Sequence, residues 1–236
     1  MTKLIAEIGW NHMGDMTLAK DMIWAAKESG CDFAKFQTWS VDRLKPGVWD
    51  TDGRREIYEK AELDLDKHLD LKNYCDEVGI GFMSSVFSIE DAKLLKQVVT
   101  DYVKIPSFES RNKKLIHYCL EHFQHLLIST GTSTYEETRN TLHDVSRDRF
   151  TLLHCVSSYP CDFDIVNLPR IETLKGLSHS VGFSDHSQGI EASVLSLGYG
   201  VDFIEKHFTT DNDLPGRDNK FAVLPDDVKE LKRYID

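Results

Sequence analysis

The stretch FSDHSQG, residues 183–189, sets a serine, an acid and a histidine side by side. His207 follows His186 at a distance of 21 residues, in IEKHFTTD. Each histidine closes a short apolar run. Neighbouring strands lie about 4.8 Å apart, so two imidazoles at adjacent strand ends reach one ion. Two nitrogen ligands with open positions suit a catalytic Mn, Fe, Co or Zn. For either histidine alone, a hydrogen-bonded loop imidazole is the plainer reading. Ser184, Asp185 and His186 make a poor hydrolase triad, because triad members converge from different elements. Lys35 and Lys104 stand inside the apolar runs DFAKFQ and DYVKIP. A buried ammonium without an anionic partner is costly. Two lysines among small hydroxyls would form a cradle for phosphate or carboxylate.

The elements that must position these groups alternate. Eight β-type runs cover 3–9, 32–37, 80–85, 101–106, 125–130, 150–156, 179–184 and 201–208. Amphipathic stretches at 17–29, 64–78, 89–98, 135–145 and 225–235 separate or follow them. Strand–helix alternation implies right-handed crossovers and a parallel sheet. Eight units in 236 residues predict an α/β fold, a (β/α)8 TIM barrel forming a single domain over 1–236. An open doubly wound sheet is the alternative, but the first turn, EIGWNHMGD, lacks the GxGxxG phosphate fingerprint. In such a barrel the site lies at the C-terminal strand ends. Those ends carry Glu7, Lys35, Ser84, Lys104, Ser107, Glu109, Ser129, Ser157, Ser184, His186, Glu205 and His207. Any one serine there is most simply a cap or turn residue; the joint pattern is what points to a site.

The formal net charge of -11 argues against nonspecific nucleic-acid binding. No apolar run approaches the roughly 20 residues of a membrane span, and KLIAEIG is too short and acidic for a signal peptide. Five scattered cysteines with no CxxC pair read as reduced thiols of a cytoplasmic protein.

The motifs AEIGWNHMGD, AKFQTW, VKIPSFE, ISTGTS, LLHCVSSYP, GFSDHSQG and IEKHFTTDNDLPGRDNKFA, in this order and spacing, resemble the sialic acid synthase family. The resemblance runs from Ala6 to Ala222. It implies a TIM barrel that condenses phosphoenolpyruvate with an N-acetylated sugar aldehyde. On that resemblance Glu7 contacts the acceptor, and Lys35, Lys104, Ser107, Ser129 and Ser184 bind phosphoenolpyruvate, with Lys104 also counted as catalytic. Ser84 and Ser157 join the substrate-binding set, Ser157 standing where the family often has asparagine. Glu109 is the implied acid/base, His186 and His207 the ligands of Mn or Mg, and Asp218 a sugar-binding or metal-shell carboxylate. The family's N-terminal hairpin and C-terminal antifreeze-like domain have no counterpart in these 236 residues.

Two other readings stay open: a class I aldolase with Lys35 or Lys104 as Schiff-base nucleophile, and a shortened relative that binds a sugar phosphate without catalysis. The long charged segment 38–63 is expected to act as a lid, with Arg43, Arg54 and Arg55 on a substrate anion and Trp39, Trp49 and Tyr58 against a sugar or a second subunit. A homodimer is expected.

Overall fold

The structure, a computed structural model, describes residues 1–44 and 46–236. Eight strands form a closed barrel in chain order: β1 (Lys3–Gly9), β2 (Phe33–Thr38), β3 (Gly81–Val86), β4 (Tyr102–Ile105), β5 (His125–Ser129), β6 (Phe150–Cys155), β7 (Ser180–Asp185) and β8 (Phe203–His207). All ladders are parallel, and β8 returns to pair with β1. The connecting helices are α1 (Met16–Glu28), α2 (Arg54–Ala61), α3 (Leu65–Val78), α4 (Ile89–Leu95), α5 (Lys113–His122), α6 (Tyr135–Leu142), α7 (Arg170–Leu174) and α8 (Glu191–Leu197), and α9 (Pro225–Ile235) ends the chain. The (β/α)8 barrel expected from eight β-type runs alternating with helical stretches is the fold observed.

Helix starts are fixed by side chains that satisfy the first free N–H groups. Asp15 accepts from Thr17 and Leu18 ahead of α1, Asp64 from Lys67 ahead of α3, and Thr134 with Glu137 closes a capping box on α6. Helix α3 stops at Gly79, whose φ of +75° would strain a side chain. Segment 38–63 is not one loop. It holds 3-10 turns at Val41–Arg43 and Val48–Asp50 and then α2, whose sequence RREIYEKA has too few apolar residues to announce a helix.

Strand alternation divides the interior from the outer core. Ile5, Phe33, Met83, Leu127, Leu153 and Phe203 form an apolar layer inside the barrel. A Cβ on Gly182 would meet Leu153 at 2.4 Å, so this layer fills the barrel at that level. Two residues further along the strands the inward positions turn polar: Glu7, Lys35, Ser85, Lys104, Ser129, Ser184 and Glu205. The larger apolar cluster lies between strands and helices, built from residues such as Leu4, Ile23, Phe36 and Leu152. Among the described residues no helix is long and apolar enough to cross a membrane.

Candidate active site

The polar layer floors a cavity of about 360 Å³ at the C-terminal mouth. Register explains the convergence. Glu7 is the ladder partner of both Lys35 and His207, Ser85 of Lys104, and Ser184 of Glu205. Lys104 Nζ donates to both Glu205 oxygens, at 2.7 and 2.8 Å. Ser184 Oγ donates to Glu205 Oε1 at 2.9 Å. Lys35 Nζ lies 2.5 Å from Glu7 Oε2 and 3.6 Å from Glu205 Oε2, and donates to Ser85 Oγ at 2.9 Å. Gln37 holds the other Glu7 oxygen at 2.7 Å. Two buried cations thus face two buried carboxylates. Burial pushes the Glu7 carboxyl above its usual range despite Lys35. At Glu205 the same burial is outweighed by Lys104 and Lys35, which hold its carboxyl down. Burial lowers Lys104 despite Glu205, whereas Lys35 is raised because Glu205 and Glu7 together outweigh its burial.

Opposite the carboxylates stands a wall of hydroxyls. Pro106 leads β4 into a 3-10 turn, Ser107–Glu109, that places Ser107 on the cavity. Gly131 N–H donates to Ser107 Oγ at 3.0 Å. A Cβ at Gly131 would lie 2.6 Å from Ser157 Oγ and 2.9 Å from Ser107 Oγ, so only glycine lets the backbone approach this closely. Ser129 Oγ and Ser157 Oγ are buried without a hydrogen-bond partner. Buried hydroxyls normally find partners, and neither of these finds one within the protein.

The histidines meet above this floor, ring centroids 5.6 Å apart. His186 Nδ1 lies 2.7 Å from the Val156 carbonyl. A carbonyl only accepts, so Nδ1 carries a proton, and in the neutral ring Nε2 keeps its lone pair, the arrangement of a metal-binding imidazole. Burial lowers the His186 pKa, but the Cys155 thiol and Val156 carbonyl outweigh it and the net direction is upward. His207 is pushed down to about 3 by burial, so it is neutral, and its Nδ1 is a buried nitrogen without a partner. Among the described residues no third His, Cys, Asp or Glu joins them in a metal-holding group. His186 and His207 are thus the residues that could hold a divalent ion, by two imidazole nitrogens. Asp218, also on the cavity, accepts from Trp10 Nε1 at 3.2 Å and Arg217 Nε at 2.9 Å.

Of the residues singled out in the sequence, Glu7, Lys35, Lys104, Ser107, Ser129, Ser157, Ser184, His186, His207 and Asp218 line this one cavity. Ser84 does not. It points into the helix layer, where its Oγ lies 2.7 Å from Thr38 Oγ1, itself 2.8 Å from His68 Nε2; Ser85, one residue on, faces the cavity. Glu109 is also outside the lining: the turn after β4 carries its carboxylate to Asn112 at 2.8 Å. Asp185 faces outward to Lys206 at 2.9 Å, which disposes of the serine–acid–histidine triad. Arg43, Arg54 and Arg55 pair with Asp91, with Asp52, and with Asp50 and Glu59, and line no part of the cavity. Their neighbours in chain and space are acidic, which draws the guanidinium groups away from the mouth. Glu205 and Gln37 stand at strand ends but carry no role in the sequence expectations, and Arg217, Cys155 and Tyr159 are site residues those expectations lack. For Glu205 the signal was present, since it lies two positions before His207 and so on the same strand face.

Comparison with known proteins agrees with this architecture. The chain is 36% identical over 251 residues to N,N'-diacetyllegionaminic acid synthase of Legionella pneumophila, spanning 98% of this chain and 70% of that protein. It is 35% identical to the enzyme of the same name from Campylobacter jejuni, spanning 99% and 75%. The crystal structure of N-acetylneuraminic acid synthetase from Leptospira borgpetersenii, in complex with citrate, superposes with a TM-score of 0.89 at 31% identity, covering 99% of this chain and 82% of that one. A family model described as the NeuB family matches residues 22–236, and the chain belongs to that family.

Proposed function

We propose that this chain condenses phosphoenolpyruvate with an N-acetylated amino-sugar aldehyde of the N-acetylmannosamine kind, giving a nine-carbon 2-keto sugar acid and free phosphate. The observation that carries the reading is the presence, in one cavity, of buried Lys35 and Lys104 together with the unpartnered hydroxyls of Ser129 and Ser157. A trianionic substrate supplies what these donors lack. The names of the two synthases and of the structural neighbour point the same way.

In this reading Lys35, Lys104 and the hydroxyls of Ser107, Ser129, Ser157 and Ser184 hold phosphate and carboxylate. That fixes the enol face toward Glu7, Asp218 and the two histidines. A divalent ion held by His186 and His207, Mn or Mg by preference, would supply Lewis-acid polarisation of the aldehyde oxygen. The π electrons between C2 and C3 form the new bond to the aldehyde carbon, whose oxygen takes up a proton. Glu7 and Glu205 stabilise the positive charge that develops at C2. Water adds at C2 and gives one proton to a carboxylate; the C2–O bond to phosphate then breaks with its electron pair on the phosphate, which takes the remaining C2 hydroxyl proton and leaves the 2-keto group. Glu7, with its raised pKa, takes the acid/base role, since Glu109 lies off the cavity.

A Schiff-base aldolase has one observation in its favour, the lowered pKa of Lys104. Borohydride treatment with pyruvate would then label Lys104. The condensation reading expects no label, and phosphate release that requires both phosphoenolpyruvate and an aldehyde sugar. Phosphate release that ignores the sugar would overturn it.

A further inference from the structure

A second cavity of about 280 Å³ opens beside the first on the β1–β3 side. Its walls are apolar: Trp10, Trp39, Leu44, Trp49, Tyr58 and Phe87. Tyr58 stands at the centre, its ring 5.3 Å from Trp10, 5.8 Å from Trp39 and 5.6 Å from Trp49. Segment 38–63 supplies most of these groups; its arginines do not line the annex, and the Arg55 guanidinium lies 5.8 Å from the Trp49 ring centroid. Trp10, Gln37, Phe87 and Arg217 line both cavities, so the two are one continuous space with a polar floor and an aromatic annex. At the junction Gln37 binds Glu7 and Arg217 binds Asp218. Trp10 turns its N–H to Asp218 and its ring edge to Tyr58.

The hydroxyl wall with Lys104 lies at β4–β6, and the annex lies on the opposite side of the mouth. Glu7, Lys35 and His207 are between them. A ligand whose anionic half sits on the hydroxyls and whose aldehyde lies at the centre must extend its second half toward the annex. Among the described residues the one charged group lining the annex is Arg217, at the junction, where it is paired with Asp218; the annex volume is roughly nine times the ~30 Å³ that one water takes up in the liquid. Filling it with water would leave indole and phenol faces without dispersion partners.

We propose that the annex is a specificity subsite for an apolar acyl substituent on the acceptor sugar, one longer than acetyl. This rests on the condensation reading above. Each methylene moved from water into the annex contributes about fourfold, the equivalent of about 0.8 kcal/mol per buried CH₂.

The test is a series of mannosamines acylated with acetyl, propionyl, butyryl and pentanoyl groups. With phosphoenolpyruvate and Mn²⁺, kcat/KM for the sugar is expected to rise about fourfold per methylene, while KM for phosphoenolpyruvate stays level. Leu44→Trp fills the annex and should collapse this preference to near unity. Binding is read independently by quenching of tryptophan fluorescence without phosphoenolpyruvate. Three of the four tryptophans line the annex, Trp24 lying exposed on α1, so the signal reports this site. Turnover with no dependence on acyl length, or a Leu44→Trp variant that keeps the full preference, overturns the subsite. Quenching that tightens with acyl length while no sugar releases phosphate keeps the subsite and overturns the condensation reading. Absence of both signals overturns both.

Discussion

Glu205→Gln removes the charge that faces both buried lysines. In the structure Glu205 receives two hydrogen bonds from Lys104 and one from Ser184, and lies 3.6 Å from Lys35. Its side chain is only 7% exposed and that of Lys104 only 3%, so water cannot take its place. The variant leaves two cations balanced by Glu7 alone. Breaking a buried ion pair from one side costs about 3–5 kcal/mol. For a chain of this length each kcal/mol lowers Tm by about 2–4 °C, so Tm should fall by about 6–20 °C. Inorganic phosphate should restore more of that loss in the variant than it adds to the parent, because Lys104 is released to an anion that binds only the folded state. Scanning calorimetry of the parent, Glu205→Gln, Lys104→Met and the double variant, each with and without phosphate, measures both effects. The double variant should lose clearly less than the sum of the singles. Single variants that melt within about 2 °C of the parent and combine additively would refute the network as described.

Three further outcomes follow from the same geometry. His12 is buried with its pKa pushed down to about 4 by burial, so the unfolded chain binds a proton that the folded one refuses between about pH 6.5 and 4. Stability should therefore fall with falling pH in that window, by up to about 1.4 kcal/mol per pH unit from this group, and urea titrations of His12→Gln should show a flatter slope. Ser84→Ala should cost about 1 kcal/mol of stability without changing KM for phosphoenolpyruvate. Ser129→Ala and Ser157→Ala should raise that KM about tenfold or more, as donors to a charged ligand; equal kinetic effects in all three would contradict the facing assigned to Ser84. Chelation should stop turnover and Mn²⁺ restore it. By calorimetric titration, His207→Ala should bind Mn²⁺ at least about tenfold more weakly, and unchanged affinity would remove His207 from the ligand pair.

The strands and the barrel were legible because short apolar runs alternate with helical periods or turns along the whole chain. The lysines within apolar runs and the two terminal histidines were legible for the same reason: cost of burial makes them conspicuous. Facing was harder. Ser84 and Ser85 differ by one residue, and a one-residue shift exchanges the barrel interior for the helix layer. The pairing of Ser85 with Gln37 and with Lys104 decides between them. Glu109 follows a proline that starts a new turn, so it leaves the strand's alternation altogether. The partners of Arg43, Arg54 and Arg55 depend on how segment 38–63 folds back over the barrel. Arg43 reaches Asp91, 48 positions away, a contact with no local signature.

The central claim is that the lysine–hydroxyl cavity joins C3 of phosphoenolpyruvate to an aldehyde carbon. Carbon NMR of the products formed from phosphoenolpyruvate labelled at C3, with an N-acylated mannosamine and Mn²⁺, tests it most directly. The label is expected in a methylene group coupled to sugar carbons, formed in step with free phosphate and lost in Lys104→Met. Label recovered only in pyruvate or in unchanged phosphoenolpyruvate would contradict it.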